Sequence, residues 1–260
     1  ANALVWIAVF WLGNNDGLVA ACLLAAVAAR LDRHMLLAGL FLGLAALDKY
    51  YPLLLIPFFA LDMRRIDGRL LLASIGTFAA GMGIGTLLWR RAMLEAVVFG
   101  VSRDATVLSI FHALSVIGHA NGWGDAADLL IRLNSLLVIA TWTGAFVLAW
   151  VRRDNWLVAA TWGLFAVLLV YKVGHQQFWV SWLALVACLP LLQSDSATRL
   201  ARLSWPFALF LSLFQLGFVL LAPEYFRGPL AWIKDYAGLV AFPLGAIQLL
   251  LFLRPASRPQ

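Results

Sequence analysis

The residues best suited to chemistry stand in one short stretch between two apolar runs. Asp48 and Lys49 are adjacent, after 13 uncharged residues (35–47) and before 12 more (50–61). As helices these runs would span roughly 20 Å or less, against about 30 Å for the hydrocarbon core of a bilayer. A hairpin of them would leave both charges below the membrane surface, where ionisable groups need a partner or a cavity. We expect Asp48 to hold Lys49 in a sunken polar site that includes the next two residues, Tyr50 and Tyr51; a plain turn is the alternative.

A second cluster combines charge with hydrogen-bonding side chains. Lys172, His175, Gln176 and Gln177 come directly before an aromatic helix start, Phe178-Trp179. A cation, an imidazole and two amides can hold a phosphate group through charge and hydrogen bonds. The cluster therefore predicts a phosphate site, with an interfacial anchor as the competing explanation.

Two smaller polar groups are compatible with either a binding or a structural role. Asn14, Asn15 and Asp16 precede a helix, so they could cap it or contact a ligand. Arg103 and Asp104 stand just before an amphipathic segment, 106–117, that is typical of an interfacial helix. On that segment His112 and His119 share one face; a solvated face and a metal or phosphate role both stay open.

Composition determines the class of protein. The 260 residues are 63% hydrophobic and 12% charged, about half the charged fraction of a soluble domain. We predict an all-α fold: one transmembrane domain over 1–260, a polytopic helical bundle with about nine spanning or half-spanning helices and a partial first one. The segment at about 92–128 is expected to be extracytoplasmic and interfacial. Four uncharged stretches approach or reach membrane length: Leu70–Trp89, Leu133–Val151, Leu203–Ala222 and Tyr236–Leu253.

Arginine distribution gives a topology. If the loop at 30–34 is cytoplasmic, helix alternation also places loops 62–69, 151–155 and 193–202 and the tail there. These segments hold eleven of the 19 basic residues, as the positive-inside rule requires. The polar groups at Asp16, Lys49, Arg103 and Lys172 then share the extracytoplasmic side. The eleven are Arg30, Arg33, Arg64, Arg65, Arg69, Arg152, Arg153, Arg199, Arg202, Arg254 and Arg258.

Three stretches resemble a known family of membrane enzymes. They are Gly13-Asn-Asn-Asp16 followed by Leu37-Ala-Gly-Leu-Phe-Leu-Gly-Leu-Ala45 and Lys49-x-x-Pro52; Ser102-Arg-Asp104 with Ser109; and Tyr171-Lys-Val-Gly-His-Gln-Gln-Phe-Trp-Val-Ser-Trp182 with Pro190. Together, over about 1–192, they are similar to the GT-C glycosyltransferases, above all the GPI mannosyltransferase I family and the bacterial polyprenol-phosphate-mannose-dependent mannosyltransferases. Phe178 departs from the tyrosine usual in these families.

The resemblance implies a reaction and its partners. It implies transfer of a hexose, with mannose expected, from a polyprenyl-phosphate donor to a lipid-linked or glycan acceptor, on the extracytoplasmic side of a bacterial inner membrane. Lys49, Arg103, Lys172, His175, Gln176 and Gln177 would bind the donor phosphate. Asn14, Asn15, Tyr50, Tyr51 and Asp104 would support the substrate site.

The catalytic base is expected elsewhere. Such enzymes carry it in a first extracytoplasmic loop that is not found here, so we expect an N-terminally truncated fragment; Asp16 and Asp48 are the substitutes in this chain. No cofactor is identified, a divalent metal stays open without assigned ligands, and no nucleic-acid partner is expected. A transporter or lipid flippase is the alternative function, because a broken hairpin with charges also suits a substrate pathway.

Overall fold

The structure, a computed structural model, describes residues 3–5, 7, 9, 15–63, 65–92, 95, 103–221 and 228–254. It is built almost entirely of helices. In chain order these are α1 (Ala3–Val5), α2 (Asp16–Leu31), α3 (Met35–Asp48), α4 (Ile56–Ala60), α5 (Gly68–Trp89), α6 (Ile110–Ala120), α7 (Gly124–Arg132), α8 (Asn134–Arg152), α9 (Trp156–Val170), α10 (Trp179–Cys188), α11 (Asp195–Leu220), α12 (Ala231–Tyr236) and α13 (Gly238–Leu253). Short 3₁₀ helices cover Tyr51–Leu55, Gln176–Phe178 and Leu189–Leu192.

Among the described residues, four helical segments are long and apolar enough to cross a membrane: α5, α8, α11 and the combined Ala231–Leu253. Shorter apolar helical segments lie at Met35–Asp48, Tyr51–Ala60, Ile110–Ala120, Trp156–Val170 and Gln176–Leu192. The expected all-α membrane bundle is confirmed.

Most of the core surrounds α9. Every residue of this helix but the last is buried, because other helices pack around it. Phe165 lies near the middle, and the rings of Trp179, Trp182 and Phe207 pack around it with centroids 5.0–5.6 Å away. Burial on all sides explains why α9 is apolar throughout and shows no polar face.

Two glycines let α3 approach α5 closely. A Cβ atom built on Gly39 would lie 2.6 Å from the Leu70 carbonyl oxygen, and one on Gly43 would lie 2.7 Å from the Ser74 carbonyl oxygen. These glycines are four residues apart and so occupy one face of α3. Small residues on one helix face let two backbones approach closely in this way.

The polar loops gather at one end of the bundle. Arg30 donates a hydrogen bond of 2.7 Å to the Leu61 carbonyl oxygen. Arg152 donates to the Leu253 carbonyl oxygen at 3.3 Å, and Arg199 donates to the Arg254 carbonyl oxygen at 2.9 Å. We call this the basic end. Asp16, Lys49 and Lys172 lie at the other end of the same helices, the site end.

The described residues form two small strand pairs that the sequence analysis did not predict. Leu61–Asp62 (β1) pairs with Arg65–Ile66 (β2) in antiparallel register at the basic end. Thr106–Val107 (β3) pairs in parallel register with Val173–Gly174 (β4) at the site end. Each strand has two residues, too few for a period-two pattern to be recognised.

Because α3 and α5 lie in close contact, replacing a glycine by alanine should change the free energy of unfolding by different amounts inside and outside that contact. Gly43→Ala should lower the free energy of unfolding by about 1–3 kcal/mol, because the new methyl group meets the α5 backbone. Gly76→Ala on α5 is the matched control: its methyl group meets nothing within 4 Å, so the higher helix propensity of alanine should leave stability equal or raised. Unfolding of the purified variants in mixed detergent measures both. Equal losses in the two variants would contradict this packing.

Candidate active site

An ion pair between two helix ends lies at the centre of the site. The Nζ atom of Lys49 is 2.7 Å from Oδ2 of Asp16, and the Asp16 side chain is fully buried. Lys49 directly follows α3, and Asp16 is the first residue of α2. Because α2 and α3 pack antiparallel, residues 33 apart in sequence meet. The pair joins the site ends of both helices.

The expectation that Asp48 holds Lys49 is wrong. Asp48 instead accepts a hydrogen bond from the Asn15 side-chain amide at 2.9 Å. The two neighbours diverge because α3 ends at Asp48, while Lys49 adopts an extended conformation (φ −146°, ψ 138°). Asp48 and Lys49 therefore make parallel cross-links to Asn15 and Asp16.

Phe178 connects this ion pair to the second cluster. Its ring lies 5.5 Å from the Lys49 Nζ atom, a cation–π distance. The rings of Tyr51, Tyr171 and His175 surround it, with centroids 5.5, 6.1 and 6.1 Å away. We call Lys49, Tyr51, Tyr171 and His175 around Phe178 the Phe178 cluster. It brings the two predicted groups, at 48–51 and 172–177, into one site.

Asn134 fixes the position of Lys172. This buried side chain at the start of α8 donates to the Val170 carbonyl oxygen at 2.7 Å and accepts from the Lys172 backbone amide at 2.9 Å. Sequence reasoning missed Asn134, since its partners follow it by 36 and 38 residues.

The β3–β4 pair brings the Arg103 segment to the same place. The Thr106 amide donates to the Lys172 carbonyl oxygen at 3.0 Å, and the Leu108 amide donates to the Gly174 carbonyl oxygen at 3.3 Å. Gly174 permits this approach, because a Cβ atom there would lie 2.8 Å from the Thr106 carbonyl oxygen. Arg103, three residues before Thr106, thus lies beside His175.

Cations around His175 affect its protonation. Burial lowers the pKa of His175 below its ordinary value of 6.5, and the positive charges of Arg103 and Lys49 lower it further. The imidazole is therefore neutral at pH 7. The nearby cations Lys49 and Arg103 thus disfavour a further positive charge on this imidazole.

An apolar cavity of about 580 Å³ adjoins the site between α5 and α8. Its polar residues cluster at one end, where Tyr50, Tyr51, Tyr171 and Lys172 line it. The remaining walls are almost entirely apolar and are formed by Leu53, Leu54, Phe78, Met82, Ser135, Val138, Leu164, Val167 and Leu168. A cavity of this size, with polar groups at one end only, fits an amphiphilic ligand.

Several buried polar atoms at the site end have no hydrogen-bond partner among the described residues. In the described part of the molecule, Oδ1 of Asp16, Oδ2 of Asp48 and Nε2 of Gln176 form no hydrogen bond. Buried polar atoms normally have partners. These three unpaired atoms are two acceptors and one donor.

The structure places the other predicted residues as follows. Gln177 is half-buried beside the Phe178 cluster, and Asp104 is exposed. Asn14 lies outside the described residues.

The two histidines of α6 do not contact the Phe178 cluster: His112 lies 3.4 Å from Asp235 and His119 lies 3.3 Å from Asp128. The described residues contain no group of three His, Cys, Asp or Glu side chains placed to hold a metal.

Two further site residues carried no recognised signal. The sequence analysis noted Phe178 only as a departure from a tyrosine, yet it contacts the whole cluster. Ser181 hydrogen-bonds the Tyr51 hydroxyl at 2.5 Å across 130 residues of sequence. Phe178 directly precedes α10, and Ser181 lies in its first turn; both contact Tyr51. The sequence spacing alone does not indicate that these two residues share a partner.

Comparison with known proteins identifies a family. A family model described as glycosyltransferase family 87 matches residues 3–171, about two thirds of the chain. No curated protein matches the chain, and no solved structure does. The matched range includes Asp16, Lys49 and Tyr171 but ends just before Lys172.

The ion pair predicts a non-additive pair of substitutions. Lys49→Met should lower the free energy of unfolding by about 3 kcal/mol, because it leaves the Asp16 carboxylate buried without a counter-ion. Adding Asp16→Asn should recover most of this loss, and a double-mutant cycle measures the coupling. The control is Lys234→Met, whose partner Asp235 is partly exposed; it should cost less than about 1 kcal/mol. A double variant no more stable than Lys49→Met would exclude the pairing.

Proposed function

The chain belongs to glycosyltransferase family 87, and on that premise we propose that it moves a hexose, specifically mannose, from a polyprenyl-phosphate donor to a lipid-linked or glycan acceptor. The family is GT-C-like, so glycosyl transfer and a multi-pass membrane bundle both follow from the match. The match also favours an enzyme over the transporter or flippase alternative.

The cavity between α5 and α8 is the observation that carries the donor assignment. A polyprenyl phosphate is a long apolar chain with one anionic end. The cavity has the same polarity: apolar walls over most of its length, with Lys172 and three tyrosines at one end. A water-soluble nucleotide sugar would gain little from such walls, whereas a prenyl chain buries apolar surface against them.

The cations of the site are proposed to stabilise the leaving group. In the transfer, an acceptor hydroxyl oxygen attacks the anomeric carbon, the bond from that carbon to the phosphate oxygen breaks, and the acceptor's hydroxyl proton is released to water. Negative charge then grows on the polyprenyl phosphate. Lys172 at the cavity end, with Arg103 and Lys49 nearby, would stabilise that charge, while His175, Gln176 and Gln177 supply hydrogen bonds.

The two carboxylates are proposed to organise the site rather than to take the proton of the acceptor. Asp16 is committed to Lys49 by the 2.7 Å ion pair, and Asp48 holds Asn15. Their unpaired oxygens, Oδ1 of Asp16 and Oδ2 of Asp48, remain acceptors for sugar hydroxyls. We assign the acceptor's proton to neither of them.

The site end is proposed to face the extracytoplasmic side of a bacterial inner membrane. The arginine-rich loops gather at the other end of the bundle, and cytoplasmic loops collect arginine. We further propose that residues 1–260 form one transmembrane domain. Its interfacial segment, at about 92–128, would include α6.

Lys172→Ala and a filled cavity test the donor assignment. Lys172→Ala should lower kcat/KM for polyprenyl-phosphate mannose by about 10- to 100-fold, the range for losing a hydrogen bond to a charged group. Val138→Trp should raise KM for the long-chain donor and have less effect on a short-prenyl analogue, because the indole occupies the tail region. Radiolabelled mannose transfer to an extracted acceptor, catalysed by the purified full-length protein, measures both.

Neighbouring positions provide the controls. Ile139→Trp adds the same bulk one residue away, at a side chain that is 57% exposed and does not line the cavity, so it should leave KM unchanged. Lys234→Ala removes a lysine outside the site. Equal effects of the tryptophans at 138 and 139 would refute the tail assignment. Substrate uptake into vesicles without sugar transfer would refute the enzyme assignment.

Cysteine labelling tests the topology. Gly68→Cys at the basic end and Ala120→Cys at the site end are exposed positions, introduced after Cys22 and Cys188 are changed to alanine. An impermeant maleimide should label position 120 in intact cells and position 68 only after the membrane is opened. Labelling of both from the outside would overturn the orientation.

A further inference from the structure

A basic cavity lies at the end of the bundle opposite the proposed transfer site. Its volume is about 490 Å³, and it forms where the turn between α2 and α3 meets the start of α5. Six residues line it: Arg33, His34, Met35, Leu36, Leu37 and Arg69. The proposed glycosyl transfer uses none of them.

Two guanidinium groups line this cavity from different elements. Arg33 stands in the α2–α3 turn, and Arg69 is the second residue of α5. Within the described part of the chain neither side chain forms an ion pair or a hydrogen bond, unlike the buried Arg30 nearby. Both charges are therefore available to a ligand.

Two carboxylates stand near the cavity in sequence, and neither lines it. Asp67 accepts hydrogen bonds from the Arg69 and Leu70 amides, at 2.9 and 3.1 Å, as the N-cap of α5. Asp32 is exposed and does not line the cavity. The imidazole of His34 adds a hydrogen-bonding group to the lining.

An exposed apolar strip continues from the cavity along α3. Leu36 is 63% exposed, and Leu40 and Leu44 are each 40% exposed. Their four-residue spacing places them on one face of the helix, over about 12 Å of its length. Leu72 on the adjacent α5 is 74% exposed as well. The two arginines and the leucine strip together form a surface with one basic end and one apolar end.

We propose that this surface is a phospholipid site: the cavity takes the phosphodiester of an anionic phospholipid, and an acyl chain lies along the leucine strip. Basic pockets between membrane helices recognise such headgroups, and arginine suits phosphate oxygens because its donors form a planar fork. A free phosphate ion would use the arginines but not the leucines. The site requires only that the chain sits in a bilayer, so it stands independently of the sugar donor.

Native mass spectrometry of the full chain in detergent tests the proposal. Phosphatidylglycerol should bind with about tenfold preference over phosphatidylcholine, and Arg33→Gln with Arg69→Gln should abolish that preference. The matched control is Arg65→Gln with Arg202→Gln, which removes two exposed arginines from the same end and should keep it. If both double variants lose the preference for phosphatidylglycerol equally, the preference depends only on net charge and the proposed site is refuted.

Two measurements on the wild-type chain keep the test independent of variant folding. A photoactivatable phosphatidylglycerol with its reactive group on the acyl chain should label the peptide that contains Leu36, Leu40 and Leu44. Labelling confined to other helices would refute the proposal. Inorganic phosphate at the same concentration as the lipid should not displace phosphatidylglycerol; displacement would show a site for free anions instead.

Discussion

The buried ion pair between Asp16 and Lys49 is the interaction on which the site end depends. Helices α2 and α3 are too short to carry their ends clear of a bilayer, so a charge at either end needs a partner. At 2.7 Å, with Asp16 fully buried, each group supplies the other's counter-ion. The extended backbone at Lys49 lets the lysine reach Asp16, and it orients the two following tyrosines toward the adjoining cavity.

Phe178 extends this constraint to the second half of the chain. Its ring receives Lys49 on one side and packs against Tyr51, Tyr171 and His175. Asn134 and the β3–β4 pair hold the backbone around Lys172 from two further directions. Aromatic and backbone contacts thus bring Lys49 and Lys172 into one site, although they stand far apart in sequence.

The two ends of the bundle differ in how their charges are used. At the basic end, Arg30, Arg152 and Arg199 cap backbone carbonyl oxygens and join loops together. Arg33 and Arg69 do neither, and in our proposal they meet lipid phosphate. At the site end, Lys172 and three tyrosines lie at one end of an apolar cavity. A common requirement links both ends, since charge near hydrocarbon is stable only beside a partner, a polar ligand or water.

The sequence by itself determined the helical membrane fold, because apolar length and low charge leave few other folds for such a chain. It also predicts Lys49, Lys172 and His175 as site residues, since charged or polar groups between apolar runs are costly unless they have a partner or a ligand. Which side chains meet was decided by tertiary structure alone. Asp48 was expected to hold Lys49 because it is adjacent, yet antiparallel packing of α2 and α3 brings Asp16 there instead. Asn134, Phe178 and Ser181 likewise became site residues only through contacts across long sequence separations, which local pattern cannot encode.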